Sequence, residues 1–313
     1  MTHYNIPVFV PHLGCPHDCV FCNQKKITGA ENEFKIADAK AVIDENLKTI
    51  ESLNKERFVE IAFFGGSFTA IDKDTFESLC LLAKSYIDSG RVNGARCSTR
   101  PDCIDEEKLD FMKKCGFLTI ELGVQSTDDY VLQKSGRGHT KKDVVNACEM
   151  IKKSGIGLGL QMMTGLPFDT EEKSLQTARD IILLKPDCVR VYPTLTIEGT
   201  RLFDMYKSGE YIPASLDNSV GLCAKILEMF YDAKINVVRV GLQTTDNINE
   251  DTVIGPYHPA FREIAESAIY RNKLEKSGIK SGDVVYVNSR EISKAIGTKK
   301  ANIKYFKEKT YSS

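Results

Sequence analysis

Short β-rich runs alternate with amphipathic helical patterns across residues 6–193, and no other feature narrows the possible folds as far. The runs are IPVFV (6–10), FVEIAFF (58–64), ARCST (95–99), FLTIELGV (117–124), IGLGLQMM (156–163) and DCVRVYP (187–193). Helical spacing marks 38–53, 75–87, 105–116, 140–155 and 170–185 in the intervals. Such alternation predicts a parallel sheet with helices outside it. Nearly continuous apolar strands fit burial on both faces. Six units are too few for a closed eight-unit barrel, so the expected α/β architecture is a partial (β/α)6 barrel over residues 1–200. After Pro193 the pattern changes. Helical spacing at 219–234 and 258–278, with β-rich runs at 235–243 and 283–289, predicts a small appended C-terminal α/β domain over 201–313.

In parallel α/β folds chemistry gathers at the carboxyl ends of the strands. The unusual clusters of this chain all fall there. They are the cysteine loop 15–22, GGSFT (65–69), TRPD (99–102), GVQS (123–126) and TGLP (164–167). Their placement predicts one shared active site.

The loop GCPHDCVFCNQ holds Cys15, Cys19 and Cys22 with the spacing Cys-x3-Cys-x2-Cys. Structural zinc takes a closed set of four ligands. His12 and His17 lie close enough in sequence for a Cys3His site, although His17 sits inside the loop and is poorly placed to close the same tetrahedron. A [4Fe–4S] cluster usually takes four thiolates. Three would leave one iron open to chelate the amino and carboxylate groups of a small ligand. S-adenosylmethionine offers both groups and a sulfonium that an electron from the cluster can cleave, giving an adenosyl radical.

Composition sets the setting. No basic leader followed by an apolar run opens the chain, and no apolar stretch approaches bilayer length. A cytoplasmic protein is expected, and there ten cysteines imply reduced thiols and metal or catalysis over a disulfide framework. The net charge of −1 hides an asymmetry: residues 271–313 are net +7 and the rest net −8. A basic end on an acidic body suggests a polyanion partner, or a solvated lysine-rich face. Tyr286, Tyr305, Phe306 and Tyr311 interleave with the lysines there, a pattern suited to phosphate contact and base stacking. Lys300, Lys304 and Lys307 fall at helical spacing and predict one basic stripe.

CPHDCVFC resembles the Cys-x3-Cys-x-aromatic-Cys signature of the radical S-adenosylmethionine (SAM) superfamily, with Phe21 as the aromatic. FGGSFTA, TRPD, LGVQS, GRGHT, TGLP and YHPAFRE further resemble the radical domain of the Elongator catalytic subunit and its shorter bacterial relatives, over most of the chain. The resemblance implies a six-unit partial barrel, a [4Fe–4S] cluster on Cys15, Cys19 and Cys22, and SAM as cofactor. It implies that Gly65 and Gly66 bring backbone close to the SAM amino group, and that Gln125, Arg137 and Gln161 contact SAM. Glycine suits such an approach because a side chain would block it. A guanidinium at 137 would pair the SAM carboxylate. It also implies a reduced electron donor such as flavodoxin or ferredoxin, and tRNA or other RNA as substrate.

Three departures from the Elongator pattern stand out. The first cysteine interval is short, and serine stands at position 98, where Elongator subunits often carry a ribose-binding glutamate. Residues 201–313 resemble the radical-SAM C-terminal extension and no acetyltransferase domain, so an acetyl-CoA reaction is not implied. A radical enzyme on a small molecule such as a tetrapyrrole is the alternative, and a non-catalytic iron–sulfur or zinc RNA-binding module the second. Cys80, Cys97, Cys103, Cys115, Cys148 and Cys223 read as core thiols, and His139 as a site residue or the cap of the following helix.

Overall fold

The computed structural model of the protein describes residues 2–10, 15–23, 34–53, 56–242, 249, 252–279 and 283–311. Strand β1 spans Thr2–Val10, β2 Arg57–Gly65, β3 Gly94–Thr99, β4 Phe117–Gln125, β5 Gly157–Thr164 and β6 Cys188–Pro193. The short β7 (Thr196–Ile197), then β8 (Asn236–Val240) and the short β9 (Val253–Ile254), complete the strands. The main sheet has seven parallel strands in the order β1-β2-β3-β4-β5-β6-β8 and curls into a half-barrel. The six expected strands are all present. The seventh comes from the segment read as the extension, and Val189 of β6 pairs with Val237 of β8.

Helices cover the outer face. Helix α1 spans Ile36–Glu51, α2 Lys73–Asp88, α3 Glu106–Lys114, α4 Asp129–Lys134, α5 Lys141–Ser154, α6 Glu171–Leu183, α7 Arg201–Ser208 and α8 Leu216–Asp232. Helices α9 (Phe261–Lys276), α10 (Ile292–Ile296) and α11 (Ala301–Tyr311) follow. In α1 the residues Ala39, Ile43, Leu47 and Ile50 recur at helical spacing and are buried, the mark of one apolar stripe against a sheet. Val59, Ile61 and Phe63 of β2 belong to the same core, while the intervening Glu60 and Ala62 point to the other face. That alternation gives the barrel a lumen that carries polar groups inside an apolar wall. The Thr140–Asp143 capping box starts α5, and Gly155 in the left-handed region ends it.

Three local expectations differ from the structure. Helices α4 and α7 occupy stretches to which the sequence assigns no helical pattern, since six and eight residues are too short to display a period. The run at 283–289 forms no strand: residues 283–288 pair with no strand, and Tyr286 is 92% exposed. The C-terminal helix begins at Ala301, so Lys300, with φ 62°, precedes it and the helical stripe reduces to Lys304 and Lys307. Asn302 ties this segment down by donating from Nδ2 to the carbonyls of Ser267 and Ala295, each at 3.0 Å. Among the described residues no helix is long and apolar enough to cross a membrane.

Candidate active site

The cysteine loop is held by backbone contacts to elements far away in sequence. Val20 N donates to Ser135 O at 3.0 Å, and Leu202 N, at the start of α7, donates to Val20 O at 2.7 Å. Asn23 Nδ2 donates to Gly199 O at 3.2 Å. Beneath the loop Val20, Leu202 and Tyr211 are buried together, with Phe21 packed on them. The GRG turn after α4 presses against the loop from the other side. Gly136 and Gly138 both have positive φ, and a Cβ on Gly138 would lie 2.3 Å from the His17 ring. Only glycine meets both demands.

The loop forms one wall of a cavity of about 190 Å³ at the carboxyl ends of the strands. Cys15, Cys19, Phe21 and Cys22 line it from the loop, and Gly65 and Gly66 from the end of β2. Ser98 of β3, Gln125 of β4 and Gln161 of β5 close it, with Arg137 from the GRG turn. The three cysteines and the seven residues expected to bind the cofactor therefore border the same space, and His139 does not line it. Gly66 N donates to Val10 O at 2.7 Å, and a Cβ on Gly65, whose φ is +108°, would lie 3.2 Å from that oxygen. Glycine here also serves the junction of β1 and β2.

Arg137 is buried and aimed into the cavity. Its Nη1 donates to Cys19 Sγ at 3.2 Å and its Nη2 to Gly123 O at 2.5 Å, while Nε has no hydrogen-bond partner. A Cβ on Gly123 would meet Arg137 Nη2 at 3.2 Å and Gln125 Nε2 at 3.1 Å, so this glycine makes the cradle for both. Gln125 holds φ at 66°, a conformation that costs a non-glycine residue about 1 kcal/mol. Gln161 Nε2 donates to its Oε1 at 3.3 Å. A strained, hydrogen-bonded side chain at a strand end is the pattern of a position kept for its direction.

Arg100, within the TRPD cluster, was not assigned a role from sequence, and its lone basic side chain gave no signal. It is buried, pairs both oxygens of Asp102 at 3.0 and 2.9 Å, and donates to the backbone carbonyl of Arg137. Burial opposes its charge, and the Asp102 carboxylate more than offsets that, raising the pKa. Arg100 thus fixes the backbone that carries Arg137.

His139 does not cap α5, a task performed by Thr140. It is 3% exposed, and Nε2 lies 3.2 Å from Val124 O. A carbonyl can only accept, so Nε2 carries the proton and the buried Nδ1 stays bare. Burial, then Arg137 and Arg100, push its pKa down to about 4. The native state therefore binds fewer protons than the unfolded one between about pH 6.5 and 4, and stability falls as pH falls through that window. Relative to pH 7, the loss at pH 5 is expected to be about 2 kcal/mol. Urea unfolding of the metal-free protein at both pH values checks this: His139→Gln should lose clearly less than the wild type, and equal losses would contradict it.

The donor set fits an iron–sulfur cluster. Cys15 is exposed, and Cys19 and Cys22 are half-buried. The three thiols border the same cavity. Three thiols on one cavity fall short of the closed set of four that structural zinc takes, and they match a cluster that leaves one iron open. The orphaned Arg137 Nε and the Gly123 cradle leave polar capacity for a second, charged ligand. His12, considered as a zinc ligand, lies outside the described residues. Cys80, Cys97, Cys115, Cys148 and Cys223 are buried, and desolvation raises the pKa of each thiol; Cys103 is half-buried beside Arg100.

Residues 9–181 match the radical SAM superfamily, and residues 186–271 match the radical SAM C-terminal domain. An uncharacterized protein of Methanocaldococcus jannaschii, MJ0486, is 31% identical over 236 residues, covering 72% of this chain and 71% of that one. A tRNA uridine(34) acetyltransferase of the same organism is 32% identical over 239 residues, covering 64% of this chain but only 44% of its own length. Among solved structures, the archaeal Elp3 of Methanocaldococcus infernus superposes with a TM-score of 0.64 at 21% identity, over 89% of this chain and 64% of that one. With a cysteine loop, a half-barrel and a cavity where the signature residues meet, the chain belongs to the radical SAM superfamily and is an enzyme of that superfamily, similar to the radical domain of Elp3.

Proposed function

We propose that this enzyme modifies RNA, with tRNA as the substrate, in the cytoplasm. Cys15, Cys19 and Cys22 would hold a [4Fe–4S] cluster, and Gln125, Gln161 and Arg137 would orient SAM beside it. Bound together, cluster and SAM supply one-electron reductive cleavage and adenosyl-radical chemistry. Arg137, whose guanidinium already touches Cys19, would pair the SAM carboxylate beside a cluster ligand. Phe21, seated on Val20, Leu202 and Tyr211, would keep water from the loop side. The adenosyl end would reach Ser98 at the end of β3, where a hydroxyl replaces the longer carboxylate of the Elongator pattern. A flavodoxin or ferredoxin would deliver the electron.

The observation that carries the RNA assignment is the similarity to tRNA uridine(34) acetyltransferases through the radical domain. The basic C-terminal segment supports it. Lys304 and Lys307 share a face of α11, and Tyr286 stands free of the surface. Tyr305 is less available for stacking, since it packs edge-on against Phe306 at 5.3 Å and under Arg271 at 5.1 Å.

Two measurements test the reading. RNA from cells lacking the protein, digested to nucleosides and compared by mass with wild type, is expected to lose one modified nucleoside. Purified enzyme should bind tRNA with steep salt dependence, and Lys304→Glu with Lys307→Glu should weaken binding and flatten that slope by roughly two. Identical nucleoside profiles together with unmeasurable tRNA binding at low salt would move the substrate to a small molecule.

A further inference from the structure

The lumen of the half-barrel carries a row of charges that the cofactor site does not use. Glu60, Arg96, Glu121 and Arg190 sit on β2, β3, β4 and β6 and face inward. Arg96 bridges Glu60 at 3.6 Å and Glu121 at 3.2 Å. Arg190 grips Glu121 with Nε and with Nη2, the latter at 3.0 Å. Two carboxylates are thus matched by two guanidiniums. Arg239, on β8, is the surplus cation of this row, with no ion pair among the described residues.

Its direction is set by an irregularity in the sheet. Val237 and Val240 both pack into the helix-side core, so strict alternation from Val237 would send Arg239 outward too. The register shifts instead: Val237 pairs with Val189, and Arg239 with Arg190, leaving Val238 as an extra residue. Such a bulge re-aims a side chain, and bulges favour active sites. Gln161 pairs in turn with Arg190, so Gln161, Arg190 and Arg239 form one row across β5, β6 and β8. Two strand spacings, roughly 10 Å, separate the backbone of Arg239 from that of the cavity-lining Gln161.

The opposite wall is aromatic. Phe9 and Phe64 are register partners on β1 and β2, and Phe9 is 48% exposed although its strand neighbours Val8 and Val10 are buried. The Arg190 guanidinium reaches across to within 5.5 Å of the Phe64 ring centre. A stacking surface on one side and, on the other, a cation without an ion pair among the described residues match a single nucleotide unit: a planar base and an anionic phosphate.

We propose that Arg239, backed by Arg190, is a phosphate-binding subsite of the lumen, and that it holds the backbone phosphate of a nucleotide turned out of the RNA with its base against Phe9. The subsite stands on charge and register; its assignment to RNA rests on the function proposed above. Extruding a nucleotide is the general way to bring a stacked base to buried chemistry.

The test is arginine modification of the reconstituted enzyme by phenylglyoxal, mapped by peptide mass, with uridine, uridine 5′-monophosphate and tRNA as probes. Arg239 should react in the free enzyme, be protected by the monophosphate and by tRNA, and not be protected by uridine. Arg239→Ala should weaken monophosphate binding about tenfold or more, with Arg239→Lys recovering part of it, because lysine keeps the charge and loses the fork. Protection by the monophosphate without protection by tRNA would keep the subsite and overturn its RNA assignment. An Arg239 that is unreactive in the free enzyme, or equally reactive with every probe while tRNA still binds, would overturn the subsite and leave the RNA reading standing.

Discussion

Anaerobically reconstituted wild-type protein is expected to bind about four irons and turn brown, and Cys19→Ala to lose the iron and all SAM cleavage. Cys19 is the informative thiol because it occupies the middle of the loop and accepts a hydrogen bond from Arg137 Nη1. Its neighbours on both sides are pinned, Val20 to Ser135 and Leu202, and Gly136 against the loop backbone at Asp18. The loop should therefore keep its path in the variant, so that loss of iron reports the missing thiolate. Arg137→Ala separates the two cofactors. It removes the guanidinium but no thiolate, so iron should stay near the wild-type level while SAM binding weakens about tenfold or more. Iron and SAM cleavage are read on the same sample, by colorimetric assay and by 5′-deoxyadenosine formed with dithionite. Equal iron loss in both variants would make Arg137 a support of the loop alone. One tightly bound zinc and no iron uptake in the wild type would sink the cluster assignment.

Much of this site was legible because its residues carry local signals. Three close cysteines, a glycine pair after an apolar run and a GRG turn are each visible within a few positions, and the strand–helix rhythm places them at one end of a sheet. What could not be read was whatever depends on who lies beside whom. Arg100 becomes a positioning residue only because the chain brings its guanidinium to the carbonyl of Arg137. The lumen charges are isolated residues in apolar strands, and nothing local distinguishes Glu121 from a solvent-facing glutamate until Arg96 and Arg190 are found on either side of it. The run at 283–289 shows the opposite error. Its Val and Tyr content favours a strand, but strand formation needs a partner edge, and none pairs with residues 283–288. The bulge before Arg239 leaves no trace in the sequence, since VVRV does not show that Val237 and Val240 are both buried on one face.

Glu121 is expected to be the costliest single charge to remove. It is 3% exposed, and both its oxygens are engaged by guanidiniums, from Arg96 at 3.2 Å and from Arg190 at 3.0 Å and through Nε. Gly159 makes room for it, since a Cβ there would stand 2.7 Å from Glu121 Cγ. In Glu121→Ala the cations cannot neutralise themselves, because arginine stays protonated, and Glu60 is the one carboxylate left in the row to serve them. Breaking a buried pair in this way destabilises by about 3–5 kcal/mol, far more than loss of an exposed ion pair such as Lys153–Glu106. Urea unfolding of the metal-free protein reads the difference without interference from the cluster. Glu121→Gln, which keeps the shape and can still accept hydrogen bonds, should fall between the variant and the wild type. Changing Arg190 to Met in the Glu121→Ala background should return part of the loss, since it removes the guanidinium that pairs Glu121 alone, whereas Arg96 keeps Glu60, and the double-mutant cycle measures the coupling. A loss below about 1 kcal/mol in Glu121→Ala would mean that water enters the lumen freely enough to solvate both arginines. The row would then be a wet surface and not a structural element of the barrel.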